Sequence, residues 1–467
     1  MKIKICNLGV IEKAEIDLKP LTVFIGHNGT GKTWTAYTLA SIFSSYGYEQ
    51  YLTTYLENKN ITQQLYPPID TAIEQIINEG NAQINLVDFV DKYAEIYFNE
   101  LAKLTPNWMN NFLATERANF QKLKVSFDLQ DTKQKLKQAV YNLSIDSKIS
   151  PDSKENFSLL NSLKESDDYT LYFYRISTNS DREILQKLPK QILISFIYNV
   201  IFQAIHNSLF KQLYIFPTER TTFITLPFQN FNATTAQAAI EEQKRQNTKY
   251  LVYQPVRYFL RIIHRILNGN KLEREKLGKN HQIIYKYIQL SQLLEKEILQ
   301  GKVDFDSSGL QKELLFEVSE NYKLEMPIVS SMVKELAPLV LCLRYLAEPN
   351  ELIIIDEPEM NLHPAAQVEI IEFLATLVEA GLNVLITTHS PYIVDHLSNL
   401  MQAARCEDKE SIKERFYLER TEAFIPQEKV SVYLFEDGTA KNILGEKGRI
   451  DWGSFADVSD DISHIFS

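Results

Sequence analysis

The feature that most constrains this chain is the eight-residue stretch Gly26-His-Asn-Gly-Thr-Gly-Lys-Thr33, which follows a predicted strand and precedes a predicted helix. It has the pattern G-x-x-x-x-G-K-[ST] of a phosphate-binding loop, in which glycines let backbone N–H groups turn toward phosphate oxygens. The chain has only 15 glycines in 467 residues, yet three fall within this stretch. An ordinary tight turn is the alternative. The candidate nucleotide-binding residues are Gly26, His27, Asn28, Gly29, Thr30, Gly31, Lys32 and Thr33.

Two side chains of this loop have distinct predicted roles. Lys32 is expected to reach the β and γ phosphates of a nucleotide, and the hydroxyl of Thr33 is expected to be a ligand of Mg²⁺. The N-terminus of the following helix adds positive potential. The loop therefore predicts ATP and Mg²⁺ as the cofactors.

A second motif supplies two acids. Four apolar residues, Leu352–Ile355, precede Asp356 and Glu357, as in a strand that is covered on both faces of a parallel sheet. Ligands bind at the carboxyl ends of such strands. We expect Asp356 to hold Mg²⁺ through its water shell and Glu357 to orient or deprotonate the attacking water. Acids that only cap the next helix are the alternative.

A histidine follows another apolar strand, predicted at Asn383–Thr387. This residue, His389, lies in the sequence Thr388-His389-Ser390-Pro391. An ordinary turn residue is the alternative for a lone histidine. In a chain with the two motifs above, it is predicted to contact the γ-phosphate.

Composition limits the other classes of function. Hydrophobic residues make up 45% of the chain and charged residues 23%, which is typical of a folded globular protein. The three cysteines form no C-x-x-C motif, which fits a reducing compartment, and we expect a cytoplasmic protein. The longest apolar stretch, Leu193–Ile205, is too short to span a bilayer and predicts a buried helix. The net charge of −11 requires any nucleic-acid contact to come from a local patch.

The acidic motif continues as Asp356-Glu-Pro-Glu-Met-Asn-Leu-His-Pro364. Together with the Thr-His-Ser segment, this resembles the ABC-type ATPases of the SMC/RecF/OLD branch, often called AAA family ATPases. The resemblance implies an α/β head that has a mixed sheet with helices on both faces, an antiparallel β subdomain and helical insertions. It also implies ATP-sandwiched dimers or higher homo-oligomers, with Asn361 and His363 in the D-loop at the dimer interface.

Such ATPases also need a signature segment that binds the partner's γ-phosphate. The candidate residues are Ser330 and Ser331, which come before a predicted helix. The segment departs from L-S-G-G-Q because Met332 replaces a glycine, although a helix N-terminus still offers N–H donors. This departure argues against a transporter ATPase and predicts slow hydrolysis.

A further segment, Tyr214-Ile-Phe-Pro-Thr-Glu-Arg220, resembles a P-x-E-R segment that lies near the nucleotide in relatives. An edge strand with a surface ion pair is the alternative.

The head is predicted to be interrupted twice. Between predicted strands at Leu123–Leu129 and Tyr169–Ile176 the sequence is polar and predicts a mobile region, and the stretch from Thr71 to about Lys122 is expected to be rich in helices. The predicted division is 1–45, the N-terminal head lobe with the phosphate-binding loop; 46–189, a helical and mixed insertion; 190–234, a head segment; 235–301, a second helical insertion; and 302–467, the C-terminal head lobe.

A basic stripe lies in the second insertion. Arg257, Arg261 and Arg265 are four residues apart, and therefore share one face of a helix. A solvated helix face is one interpretation; a contact with DNA or with an acidic partner is the other.

The stretch after Pro391 is too short for the Toprim nuclease domain of OLD-type relatives. The chain thus resembles the ATPase components of anti-phage systems such as PARIS and Septu. This implies a dimeric ATP-dependent sensor or scaffold that controls a separately encoded, nuclease-like effector, with no membrane contact. The alternatives are a RecF-like DNA-repair clamp and a transporter energiser.

Overall fold

The computed structural model describes residues 1–57, 65–149, 160–174, 190–225, 253–269, 274, 281–306, 313–320 and 322–450. The chain divides into two compact units. The first unit comprises residues 1–2, 41–108 and 124–211, and the second comprises residues 3–40, 109–123 and 212–467. The helix at Lys190–Leu209 is part of the first unit. The five-segment division stays a prediction.

Both strands and helices occur along the described part of the chain. The described strands are β1 (Lys2–Leu8), β2 (Ile11–Asp17), β3 (Leu21–Gly26), β4 (Asn81–Asn85), β5 (Lys124–Asp128), β6 (Ile145–Ile149), β7 (Leu160–Lys164), β8 (Thr170–Tyr174), β9 (Leu213–Phe216), β10 (Lys302–Asp306), β11 (Glu313–Ser319), β12 (Tyr322–Glu325), β13 (Leu352–Asp356), β14 (Asn383–Thr388), β15 (Val430–Glu436) and β16 (Thr439–Asn442). The described α-helices are α1 (Lys32–Phe43), α2 (Ser45–Glu57), α3 (Pro67–Glu79), α4 (Leu86–Phe112), α5 (Lys133–Tyr141), α6 (Lys190–Leu209), α7 (Arg220–Ile224), α8 (Gln254–Asn268), α9 (Gln282–Leu293), α10 (Ser331–Tyr345), α11 (Pro364–Glu379) and α12 (Pro391–Ala403).

The second unit is built on a mixed sheet in the order β1-β2-β16-β15-β3-β14-β13-β9. The strands β15, β3, β14, β13 and β9 run parallel, whereas β16 is antiparallel to β15. Every residue of β3 and β13 is buried, because helices and loops cover both faces of a parallel sheet. The predicted mixed α/β fold is confirmed.

The register of the parallel strands brings the sequence motifs together. Asp356 is paired with Thr387 on β14, and Thr388 is paired with Ile25 on β3. The carboxyl ends of β3, β13 and β14 therefore lie at one edge of the sheet, where α/β proteins bind ligands.

One face of this sheet forms the core of the second unit. Val23, Ile355 and Ile386 belong to a large cluster of buried side chains that includes the apolar residues of α8 to α12. A small antiparallel sheet in the order β10-β11-β12 precedes α10. This matches the antiparallel β subdomain that the resemblance implies.

The first unit combines α2 to α6 with an antiparallel sheet in the order β4-β8-β7-β6. Its core is rich in aromatic rings, among them Tyr51, Tyr66, Tyr97 and Phe202. Burial lowers the pKa of His206, in the same core, to about 4.

The prediction of a mobile region before Tyr169 is wrong for the residues that the structure describes there. They form β6 and β7. Lys164 is only 1% exposed, and its ammonium group donates hydrogen bonds to the carbonyls of Tyr141, Leu143 and Glu165. A lysine that local sequence marks as solvated is buried here because tertiary contacts supply its partners.

Within the described part of the chain, one stretch, Gln191–Leu209 of α6, is long and apolar enough to cross a membrane by length and composition alone. It is 56% buried inside the protein, and its Tyr198 and Phe202 pack against Tyr55. Buried core helices meet the same two criteria, so this stretch is weak evidence for a membrane span.

Candidate nucleotide-binding site

The loop between β3 and α1 has the backbone that a phosphate-binding loop requires. Gly29 and Gly31 have φ angles of +77° and +96°, which side chains rarely allow. A Cβ at Gly31 would lie 2.7 Å from Cγ1 of Ile11. No larger residue fits at this position.

Lys32 begins α1 at the base of the loop. Its Nζ donates hydrogen bonds of 2.8 Å to the carbonyl oxygens of Gly26 and His27, and only 4% of the residue is exposed. Burial lowers the pKa of Lys32 to about 8, and the nearby carboxylates of Glu357 and Asp356 oppose this shift. The ammonium group therefore lies where the motif places the phosphates, with its charge poorly solvated.

Asp356 ends β13 beside the loop and accepts three hydroxyl hydrogen bonds. Thr33 donates to Oδ1 at 3.0 Å, Tyr37 donates to Oδ2 at 3.2 Å, and Thr387 donates to Oδ1. Burial raises the pKa of Asp356, and the bonds from Thr387 and Thr33 oppose that shift. Tyr37 had no role in the sequence analysis, although it lies one helical turn after Thr33, on the same face of α1.

The donor set around Asp356 fits Mg²⁺. The hydroxyl of Thr33 and the carboxylate of Asp356 are hard oxygen ligands, and Mg²⁺ is bound by one or two such groups together with waters and phosphate oxygens. No group of three or more His, Cys, Asp or Glu side chains suited to a metal occurs among the described residues. An all-protein cage is therefore not the arrangement here.

Glu357 and His389 face each other across the same edge. Glu357 Oε1 lies 3.4 Å from His389 Nε2, and the two side chains are 30% and 28% exposed. The hydrogen bond to His389 is the main reason that the pKa of Glu357 is lowered. Both groups remain accessible to a substrate.

Glu359, the third acid of the acidic motif, holds the segment around His389 in place. Its Oε1 accepts hydrogen bonds of 2.7 Å from the Thr388 hydroxyl and from the His389 backbone N–H. Burial raises the pKa of Glu359. The sequence analysis gave this residue no role, and the only signal was a second acid two residues after Glu357.

A pocket of about 450 Å³ lies at the phosphate-binding loop, within the size range of small-molecule sites. It is lined by Gly9, Val10, Asn28, Gly29, Gly31, Lys32, Thr33, Trp34, Glu357 and His389.

A family model described as "AAA ATPase domain" matches residues 1–394. The chain belongs to this AAA ATPase domain family. Membership implies nucleotide binding, which agrees with the pocket at the phosphate-binding loop.

Among curated proteins, the Old nuclease of Escherichia phage P2 is 46% identical to the chain over 61 residues. The match spans 13% of the chain and only 10% of the nuclease. It is a local likeness.

Solved structures of SMC heads also align with the chain. The SmcHead bound to the C-winged helix domain of ScpA is 10% identical, with 95% of this chain and 96% of that chain covered and a TM-score of 0.35. The Smc head from Pyrococcus furiosus, bound to the C-terminal domain of ScpA, is 11% identical, with coverages of 99% and 98% and a TM-score of 0.33.

The signature and D-loop candidates of the AAA ATPase domain do not line the pocket. Ser330 caps α10, since its Oγ accepts a hydrogen bond from the Val333 N–H at 3.3 Å. Ser331 is the exposed first residue of that helix. Asn361 donates to Oε1 of Glu335 on α10 at 2.9 Å. The exposed His363 caps α11.

Arg220 of the AAA ATPase domain is 1% exposed. It forms an ion pair of 2.7 Å with Glu335, whose side chain is fully buried. The interpretation of a surface ion pair is therefore wrong, although β9 is indeed an edge strand of the sheet. A charged residue at a strand end looks solvated in sequence, because its buried partner lies more than a hundred residues away.

The basic stripe lies on α8, as the spacing predicted. Arg261 and Arg265 are exposed and Arg257 is half-buried, while the apolar face of the helix packs in the core. Four more basic residues follow this stripe in the sequence. Arg274 pairs with Glu348 at 3.6 Å, and Lys271, Lys276 and Lys279 lie outside the described residues.

Proposed function

We propose that the protein binds Mg-ATP in this pocket and hydrolyses it slowly, as a dimeric switch that controls a separately encoded effector in anti-phage defence. The observation that carries the proposal is the Glu357–His389 pair beside the Lys32 loop, with Asp356 and Thr33 next to it.

Each side chain has a chemical task in this proposal. Lys32 and the loop N–H groups bind the β and γ phosphates, and Thr33 and Asp356 hold Mg²⁺, which when bound neutralises phosphate charge. Glu357 accepts the proton of the attacking water while the bond between the γ phosphorus and the bridging oxygen breaks. The products are ADP and phosphate. His389 orients Glu357 and contacts the γ-phosphate.

The proposed dimer uses the face that carries Ser330, Ser331, Asn361 and His363. Ser331 begins a 15-residue helix, whose N-terminus favours an anion. Because these residues do not line the pocket of their own chain, they are assigned to the nucleotide of the partner subunit. The replacement of a signature glycine by Met332 supports slow turnover.

The role in defence is supported by the motif resemblance and by the local likeness to a phage protein, the Old nuclease. We assign a cytoplasmic location and a nuclease-like effector encoded by a neighbouring gene. Arg257, Arg261 and Arg265 are the candidate contact with that effector or with DNA.

The test is phage plating on cells that express the protein and the product of the neighbouring gene. Wild type is expected to protect, and Lys32→Ala is expected to lose protection at equal protein abundance. A pull-down with the wild-type protein should recover the neighbouring gene product. ATP-dependent binding of duplex DNA without any co-purifying protein would instead support the repair clamp.

A further inference from the structure

Arg220 makes polar contacts with the backbone of both site acids and with α10. Its Nη1 donates to the carbonyl oxygen of Asp356 at 2.7 Å, and its Nη2 donates to that of Glu357 at 2.8 Å. Its Nε lies 2.7 Å from Oε2 of Glu335. The nitrogens of one rigid guanidinium group thus contact the backbone of both candidate site acids and a helix that lies elsewhere in sequence.

Glu335 connects this contact to the predicted dimer face. It lies one helical turn after Ser331, and its other oxygen, Oε1, accepts the hydrogen bond from Asn361. The chain of contacts therefore runs from the backbone of Asp356 and Glu357 through Arg220 to Glu335 and Asn361.

The chain of contacts has little freedom. Arg220 and Glu335 are both almost fully buried, and a buried charged pair holds its geometry because either charge alone is costly to bury. Glu357 has a φ of +51°, an uncommon backbone conformation for this residue type. Arg220 donates to the carbonyl of this same residue. A backbone shift at Glu357 would therefore displace Arg220, and with it α10.

We propose that Arg220 is a positioning residue that couples two surfaces of its own subunit. One is the pocket for that subunit's own nucleotide, and the other is the surface that contacts the nucleotide bound by the partner subunit. The inference rests on the proposed ATP-dependent dimer. Arg220 touches no substrate; it transmits the position of the Asp356–Glu357 backbone to α10 and the Asn361 loop.

The test compares Arg220→Lys with a matched control on α10, the helix that carries Glu335. Lysine keeps the positive charge for Glu335, but it lacks the planar fork that reaches several acceptors at once. The control is Arg344→Lys. Arg344 forms a similar buried ion pair, with Glu295 at 2.5 Å, and donates a hydrogen bond to the carbonyl oxygen of Val303 rather than to the backbone of Asp356 or Glu357. Asn361→Ala tests the other arm and keeps both members of the buried Arg220–Glu335 ion pair.

Three quantities are measured for each variant: affinity for a fluorescent ATP analogue, the rate of ATP hydrolysis, and ATP-dependent dimerisation in a Glu357→Gln background. For Arg220→Lys and Asn361→Ala we expect the affinity for the ATP analogue to stay within about threefold of wild type. The rate of ATP hydrolysis and the association constant of the dimer should each fall by about tenfold or more. Arg344→Lys should change none of the three by that much.

The outcomes separate the coupling from the proposed function. If Arg220→Lys is folded and dimerises and hydrolyses ATP as wild type does, the coupling is wrong. Equal losses in Arg220→Lys and Arg344→Lys also overturn it, since they would show a general loss of packing. If wild type itself neither binds ATP nor dimerises with it, both the coupling and the proposed function are wrong.

Discussion

A buried ammonium group lies at the base of the candidate pocket. Two loop carbonyls contact Lys32, but burial makes its charge costly, and this is why its pKa is lowered to about 8 from the ordinary value of 10.5. Phosphate oxygens favour the charged form and raise the pKa again when they bind. If Lys32 binds the phosphates as predicted, nucleotide binding should therefore depend on pH.

We expect ATP binding to take up a proton when the pH exceeds about 8, because free Lys32 is then mostly neutral and bound Lys32 is charged. Affinity should be full below that pH and should fall as the pH rises above it. Calorimetry at about pH 9 in buffers with different ionisation enthalpies measures the uptake. Lys32→Ala, the control, is expected to abolish nucleotide binding. Equal binding heats in all buffers, together with an ATP affinity that does not change as the pH rises above about 8, would contradict the assignment of Lys32 to the phosphates.

Among the elements, the central strands β3 and β13 are buried along their whole length. Ile353 on β13 is 0% exposed and belongs to the main core cluster. The strand lies between β14 and β9. The surrounding residues therefore have little freedom to fill a cavity that a smaller side chain at Ile353 would leave.

Ile353→Ala is expected to destabilise the protein by about 2–5 kcal/mol, the usual cost of such a cavity. The matched control is Ile283→Ala on α9, where the side chain is 55% exposed and the expected change is within about 0.5 kcal/mol. Denaturant titration measures both. Similar midpoints for the two variants would show that β13 is not central to the core.

Helix α8 carries a basic face formed by Arg257, Arg261 and Arg265, for which we predict a role separate from ATP hydrolysis. Charge reversal of Arg257, Arg261 and Arg265 to Glu should leave the rate of ATP hydrolysis near normal, since none of these residues lines the pocket. The same change should abolish binding of the effector or of DNA.

A paired assay decides between the two ligands of this face. ATP hydrolysis is measured beside a pull-down of the neighbouring gene product and binding to duplex DNA at two salt concentrations. If the triple variant loses binding to the neighbouring gene product only, the result supports the effector-controlling ATPase. If it loses binding to duplex DNA only, the result supports the clamp. If the triple variant keeps both ligands, the stripe is a solvated face.

For the whole molecule, the proposed cycle links hydrolysis to dimerisation. Glu357→Gln keeps the shape of the side chain but removes the proton acceptor. This variant should bind ATP, hydrolyse it at least about a hundredfold more slowly, and accumulate as a dimer. Size-exclusion chromatography with and without ATP measures the shift. Hydrolysis at the wild-type rate would show that Glu357 is not the base.

Local sequence determined the α/β fold class and the motifs that surround the pocket. A glycine-rich loop and an apolar run that ends in two acids each have one favoured structural context. The strand before the loop, the helix after it and the strand at Leu352–Ile355 were therefore predicted, and they are β3, α1 and β13. The placement of Thr33 beside Asp356 follows from the same reasoning, because the carboxyl ends of parallel strands meet at one edge. Their catalytic roles stay predictions.

Only the tertiary structure decided which charges are buried and what satisfies them. Arg220, Glu335 and Lys164 look like surface residues in sequence, yet each is buried, because its partners come from elements distant along the chain. The same holds for Glu359, Thr387 and Tyr37, which hydrogen-bond site residues across strands and helices. Periodicity reports how a segment meets solvent on average, whereas the partner of a single polar group depends on long-range packing, which no local pattern records.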